Sequence, residues 1–190
     1  MKASEALKSE HQAIERVLEV LEKVTDRLEA GKIVSTEVLE DSLDFLDNFV
    51  DRRHHAKEER ALFPALVSAG GPEVRDLVVE MIAEHEDGRG YLRALAKTME
   101  PHRRGDEKAV SSLVDNSRHY VALLTQHIRK EDEILFPMAD RLLSDADQQE
   151  LVAKFDRMES EHLGTGVYER YHQMIDSLAE KVRVMTHSES

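Results

Sequence analysis

One thirteen-residue pattern occurs twice in this chain, and it limits the possible folds more than any other feature. HHAKEERALFPAL begins at His54 and HIRKEDEILFPMA begins at His127. Aligned on their LFP triplets, His54 falls on His127, Glu58 on Glu131, Glu59 on Asp132 and Phe63 on Phe136. Each copy follows a Glu-His pair one segment earlier, Glu10-His11 and Glu84-His85, at separations of 43 positions (His11 to His54) and 42 (His85 to His127). Two helix-loop-helix halves of matching layout, related by a pseudo-twofold, are the simplest structure with this repeat. A His and a Glu four residues apart share one helix face, one turn above each other.

The 3.6-residue period of apolar residues predicts five helical segments. The first runs from about Ser4 to Ala30 and stops at Gly31, with Leu7, Ile14, Leu18, Leu21 and Leu28 inward. The second starts near Ser35 or Thr36 as N-cap and runs to about Ala69, with Leu43, Leu46, Val50, Ala61 and Ala65 inward. The third opens at Pro72 and ends near Pro101, on Val78, Met81, Leu92 and Leu95. The fourth follows Gly105 to about Leu143, on Val110, Leu113, Tyr120, Leu124, Ile134 and Met138. The fifth spans about Asp145 to Val184 on Leu151, Phe155, Met158, Ile175 and Leu178, with Gly164 and Gly166 marking a bend or break. Pro64 and Pro137 stand inside helical patterns and are expected to kink or reset them. No segment alternates with period two. The expected fold is all-α: an antiparallel up-down four-helix bundle with an additional C-terminal fifth helix. It forms one domain over 1–190, with a core bundle at about 4–143 and an extension at about 145–186.

Composition narrows the function. The net charge of −13 lacks the basic footprint that nucleic acid or anionic lipid requires. No apolar run approaches the roughly 20 residues of a membrane span, and MKASEALKSEH has no signal-peptide core. The expectation is therefore a cytoplasmic protein with neither membrane nor nucleic-acid partner, a monomer or weak homo-oligomer. With no cysteine there is no disulfide framework, thiolate site or Cys nucleophile.

His11, His54, Glu58, His85, His127 and Glu131 all fall on the apolar stripes. Four imidazoles and two carboxylates in a dry core cost on the order of several kcal/mol for each uncompensated charge. Two divalent ions supply the compensation, and imidazole with carboxylate is an iron-type ligand set. Two His-x-x-x-Glu pairs related by a pseudo-twofold can each set a carboxylate between two ions. Alternatives fit less well. Ferritin-like di-iron bundles need paired Glu-x-x-His motifs, and here only Glu159-x-x-His162 matches. His85-Glu86 lacks the second His of a zinc-protease motif, since Arg89 stands there.

This constellation resembles the hemerythrin-like (HHE cation-binding) family, through Glu10-His11, HHxKEExxLFP at His54–Pro64, Glu84-His85 and HIxKExxxLFP at His127–Pro137. The resemblance implies an antiparallel four-helix bundle around two iron ions, oxo- or hydroxo-bridged. In that family pattern His11 and His54 serve one iron, His85 and His127 the other, and Glu58 and Glu131 bridge. The chain departs from the oxygen-carrying members in two places. Arg89 stands where their third helix has a second His, and Glu131 lies four residues after His127 where they have an Asp at five, with Asp132 adjacent. One coordination position is thus open or differently filled. Tyr168 is a candidate extra ligand, with packing in a helix seam as the alternative, and His162 shares its segment. His55 is expected to face solvent or stand behind the ligands, because its counterpart is Ile128. His102, His119, His172 and His187 are expected on the surface or in packing.

An open position favours reaction with a small oxidant or diatomic over simple carriage. The expected ligands are hydrogen peroxide, nitric oxide or oxygen, in detoxification or a redox stress response. The alternative is an iron-, oxygen- or redox-sensing or oxygen-binding protein without turnover.

Overall fold

The computed structural model describes the backbone of residues 1–162 and 167–187 and the side chains of residues 1–160 and 170–185. The first rod is α1 (Ala3–Glu29). The second is a composite: α2 (Thr36–Phe45), π-helical stretches over Leu46–His55 and Glu58–Leu62, then α3 (Phe63–Ala69). The third is α4 (Pro72–Arg103). The fourth joins α5 (Glu107–Lys130), a π-helical stretch over Glu131–Leu135 and α6 (Phe136–Leu142). The extension consists of α7 (Asp145–His162) and α8 (Val167–His187). No strand occurs among the described residues.

The rods close a ring of four. α1 packs on α5 and on the second rod, and α4 packs on the same two partners from the opposite corner. α7 lies against α1 and the Glu58–Leu62 stretch, and α8 against α1 and α2. Both hairpin turns end a helix in the same way. Gly31 (φ 70°) and Gly105 (φ 79°) take the left-handed conformation. The following N–H groups then bond back to carbonyls of the last turn, Lys32 to Arg27 at 2.9 Å and Asp106 to Pro101 at 3.1 Å. The third rod therefore continues past Pro101 to Arg103. Ser35 stands at the N-cap of α2, but its side chain makes no cap hydrogen bond.

The two internal prolines explain the π turns directly before them, Glu58–Leu62 and Glu131–Leu135. Pro64 and Pro137 have no N–H to give to the carbonyl four residues back. The residues before them bond one position further instead, Phe63 N–H to the Glu58 carbonyl and Phe136 N–H to the Glu131 carbonyl. The Arg60 carbonyl, freed by Pro64, accepts a hydrogen bond from Lys154 Nζ of α7 at 2.6 Å. Each π turn shifts the inward face by a residue, so Leu62 and Leu135 are fully buried. This corrects the expectation for Ile134, which is 47% exposed. Its counterpart Ala61 is buried because α7 covers that flank, and no described helix covers the matching flank at Ile134.

The apolar core is split in two. One cluster gathers Ile14, Leu18, Phe45, Val50, Leu92 and Leu124 with Tyr171, Ile175 and Leu178 of α8. The other gathers Leu7, Leu62, Phe63, Met81, Leu135 and Phe136 with Leu151 and Phe155 of α7. Between them every rod carries polar residues: His11 between Leu7 and Ile14, His54 to Glu58 between Val50 and Leu62, His85 between Met81 and Leu92, and His127 to Glu131 between Leu124 and Leu135. Each buried Leu, Ile, Phe or Met contributes about 1.5–3 kcal/mol. Two such clusters can offset one polar layer in the middle.

Candidate metal centre

All six residues singled out by the repeat meet in this layer, each at most 2% exposed. The imidazoles form two pairs. His11 Nε2 lies 3.0 Å from His54 Nε2, and His85 Nε2 lies 3.0 Å from His127 Nε2. Every Nδ1 faces an outer carboxylate: His11 to Asp132 at 2.9 Å, His54 to Glu10 at 2.8 Å, His85 to Glu59 at 2.7 Å and His127 to Glu84 at 2.9 Å. A carboxylate only accepts, so each Nδ1 carries the hydrogen and each Nε2 turns a lone pair inward. Two such lone pairs 3.0 Å apart repel unless a proton or a cation stands between them.

The carboxylates span the two pairs. Glu58 Oε1 is 3.4 Å from His54 Nε2, and its Oε2 is 3.6 Å from His85 Nε2. Glu131 Oε2 is 3.2 Å from His11 Nε2 and 3.4 Å from His127 Nε2. All four oxygens of Glu58 and Glu131 are buried without a hydrogen-bond partner. With protein groups alone, burial drives the Glu58 carboxyl well above the usual range, and the Glu131 charge adds to this. Burial pushes Glu131 the same way, but His127, His11 and His54 outweigh it and hold Glu131 low. Burial also opposes protonation of His11, yet Asp132 and Glu131 raise it to about 9, while burial takes His54 down to about 4. Protons on His11 and Glu58 thus fill the role of a missing positive charge. Orphaned acceptor oxygens among inward lone pairs form a donor set that fits cations. Two groups have ligand atoms close enough to share an ion: His11, His54, Glu58 and Glu131, and His55, Glu58, His85 and His127.

Cations also brace the outer shell. Lys57 bonds both Glu10 and Glu159 of α7. Its repeat counterpart Lys130 bonds Glu84 and Glu80. Arg89 is held by Asp51 at 2.7 Å, Glu59 at 2.6 Å and Glu86 at 2.7 Å. Lys57 is buried and half of its anchorage comes from the extension. Lys57→Met is expected to destabilise the protein by about 2–3 kcal/mol, because Glu10 would keep its buried charge and lose that cation. Urea unfolding measures this, and a change below about 0.5 kcal/mol would contradict it.

Of the two places expected for His55, the structure excludes the solvent-facing one: it is buried, only 3% exposed, and stacked on His85. The signal was present in the sequence, since Ile128, its apolar counterpart, is equally buried. His119 lies exposed and stacked on Tyr91, and His172 is exposed. His102 is partly buried near the far end of α4. The side chains of His162, Tyr168 and His187, and all of Gly164 and Gly166, lie outside the described residues. A groove of about 520 Å³ lined by Leu43, Asp47, Asp51, Arg89 and Leu92 runs between the second rod and α4. A recess of about 390 Å³ lined by Asp51, Arg52, Ala56, Glu59, Arg60 and Arg89 shares Asp51, Arg52 and Arg89 with it. Among the described residues no helix is long and apolar enough to cross a membrane.

Comparison with known proteins agrees with this geometry. Residues 2–139 match the family model described as hemerythrin HHE cation binding domain. The chain is also similar to an uncharacterised protein of Mycobacterium bovis, at 22% identity over 178 residues, 94% of this chain and 68% of the relative. An uncharacterised protein of Mycobacterium tuberculosis strain H37Rv matches at the same identity and over the same shares. Matches of that length reach beyond residue 139 into the C-terminal helices. No solved structure matches the chain.

Proposed function

We propose, for a chain that belongs to the hemerythrin HHE cation-binding domain family, a non-haem di-iron centre that reacts with a small oxidant or diatomic: hydrogen peroxide, nitric oxide or oxygen. The observation that carries this reading is the pair of fully buried glutamates, Glu58 and Glu131. Their oxygens are orphaned, and each glutamate reaches toward imidazoles of both pairs. In this reading His11 and His54 hold one iron, His85 and His127 the other, and both glutamates bridge. The iron pair would supply two-electron redox chemistry at a site of this kind.

The chain's own residues would set the terms of that chemistry. Asp132, Glu10, Glu59 and Glu84 fix the ring orientations and make the Nε2 atoms better donors. Phe63 and Phe136 stack on His85 and His11 and keep bulk water off one side of the layer. The recess beside Asp51 and Arg89 is also lined by Glu59, the carboxylate that bonds His85 Nδ1. A layer this tightly packed admits only molecules of a few atoms, and this favours peroxide, nitric oxide or oxygen over larger substrates. A place in detoxification or redox stress follows from that substrate class.

A sensing role is the second reading, and one contact favours it. Lys57 ties Glu10, the carboxylate behind His54, to Glu159 of α7. Strain at the centre would pass through this link into the extension.

Metal analysis of the purified protein, followed by addition of hydrogen peroxide with an oxygen electrode, tests the proposal. The expected result is two irons per chain, and steady oxygen release would mark peroxide as the substrate. Stoichiometric bleaching of the visible spectrum without turnover would favour nitric oxide chemistry or sensing. His54→Ala and Glu131→Ala are expected to retain well under half of the wild-type iron. Full iron content in both would sink the ligand assignment.

A further inference from the structure

Arg89 occupies the turn after His85, where an oxygen carrier of the family has a second histidine. It cannot take that histidine's place. A guanidinium stays charged and has no lone pair to give. Asp51, Glu59 and Glu86 also hold it turned away toward the groove. The third rod therefore offers a single nitrogen.

The space beside His85 is filled from the second rod. His55 packs its ring on His85 with centroids 3.8 Å apart, and lies edge-on to His127 at 5.7 Å. Neither of its ring nitrogens has a hydrogen-bond partner, although the side chain is buried. Asp51 Oδ1, at 3.6 Å from Nδ1, is too far to serve. One ring nitrogen belongs to a group of donor atoms from Glu58, His85 and His127 that all lie within 4.8 Å of one another. Packing does not demand a histidine here, because Ile128 fills the equivalent position of the other repeat at the same 3% exposure. A buried polar ring with both nitrogens idle, where an aliphatic side chain fits, needs a chemical reason.

We propose that His55 gives a third imidazole nitrogen to the ion held by His85 and His127, so that the two ions have unequal ligand sets. This rests on the di-iron reading above. The rings of His55 and His85 are only 12° from parallel, and one ion cannot lie in both planes. Ligation therefore turns His55 about its outer side-chain torsion, which is broad and soft for an imidazole. One ion then has His55, His85 and His127, and the other has His11 and His54. The ion with fewer protein donors, at His11 and His54, keeps the freer coordination position.

The test is an anaerobic titration of the full-length metal-free protein with ferrous iron, followed by calorimetry, on wild type, His55→Ala and His55→Ile. The isoleucine variant borrows the residue of the other repeat and is expected to fold, which circular dichroism and the metal-free thermal midpoint verify. The expected result is two-step uptake by wild type. Both variants keep one step and bind the other ion at least tenfold more weakly. Cobalt(II) bound in the wild type is expected to show two visible signatures, of which one changes in His55→Ile. Wild-type affinity for both ions in a folded His55→Ile protein would overturn this inference and leave the di-iron reading intact. Failure of the wild type itself to take up two ions would overturn the di-iron reading, and this inference with it.

Discussion

Stripping the metal from this protein is expected to lower its thermal midpoint by roughly 15 °C or more. A ligand present at about 1,000 times its dissociation constant stabilises the state it binds by about 4 kcal/mol. Two ions would contribute about twice that, and a chain of this size shifts by about 2–4 °C per kcal/mol. The layer is built to make that difference large. It sets four inward Nε2 atoms and four unpartnered carboxylate oxygens in the middle of the bundle. Calorimetry before and after chelation measures the effect, and re-addition of ferrous iron should restore the midpoint. An unchanged midpoint would mean that no ion is bound at the centre.

Glu58→Gln is expected to act in opposite directions on the two forms. It removes a bridging carboxylate, so affinity for the ion pair falls at least about a hundredfold, beyond the tenfold-or-more losses typical of supporting residues. The metal-free protein, by contrast, gains about 1–3 kcal/mol, since the folded wild type must hold the Glu58 carboxyl neutral where the unfolded chain ionises it, a cost that an amide of the same shape does not carry. The pH dependence fixes the sign. Burial raises the folded Glu58 above its ordinary value of 4.5. The unfolded state therefore releases this proton first, and metal-free wild type loses stability as pH rises above that value. Glu58→Gln lacks this loss, so the stability difference between the two proteins should widen from pH 4 toward neutrality. Parallel curves across that range would show that Glu58 finds a partner in the metal-free state.

The bundle and the six residues at its centre were legible because they repeat. His54, Glu58, His127 and Glu131 keep their spacing in two copies, and a side chain's inward direction follows from its place on an apolar stripe. The misreadings share one physical cause, the assumption that each helix is uniform and each repeat complete. A count of 3.6 residues per turn points Ile134 inward only if it runs unbroken through a stretch that Pro137 forces into a wider turn. The solvent-facing alternative for His55 rests on the mismatch in residue type with Ile128, although an isoleucine there marks an inward position. The pairing of Lys57 has no sequence signal, because its partner Glu159 is 102 residues away and periodicity carries no information about it. Which flank of the bundle the extension covers could not be read from a stripe.

The split of the apolar core bears on how the molecule comes apart. The cluster toward the hairpin turns includes α8, and the cluster toward Pro64 and Pro137 includes α7. Each could persist while the other opens, and what joins them is the backbone of four rods and the layer between. Ions that bind residues from all four rods would make the two halves a single cooperative unit. On the di-iron reading, iron occupancy would set how many independent folding units the chain has, and a cell short of iron would hold this protein as two loosely joined half-bundles.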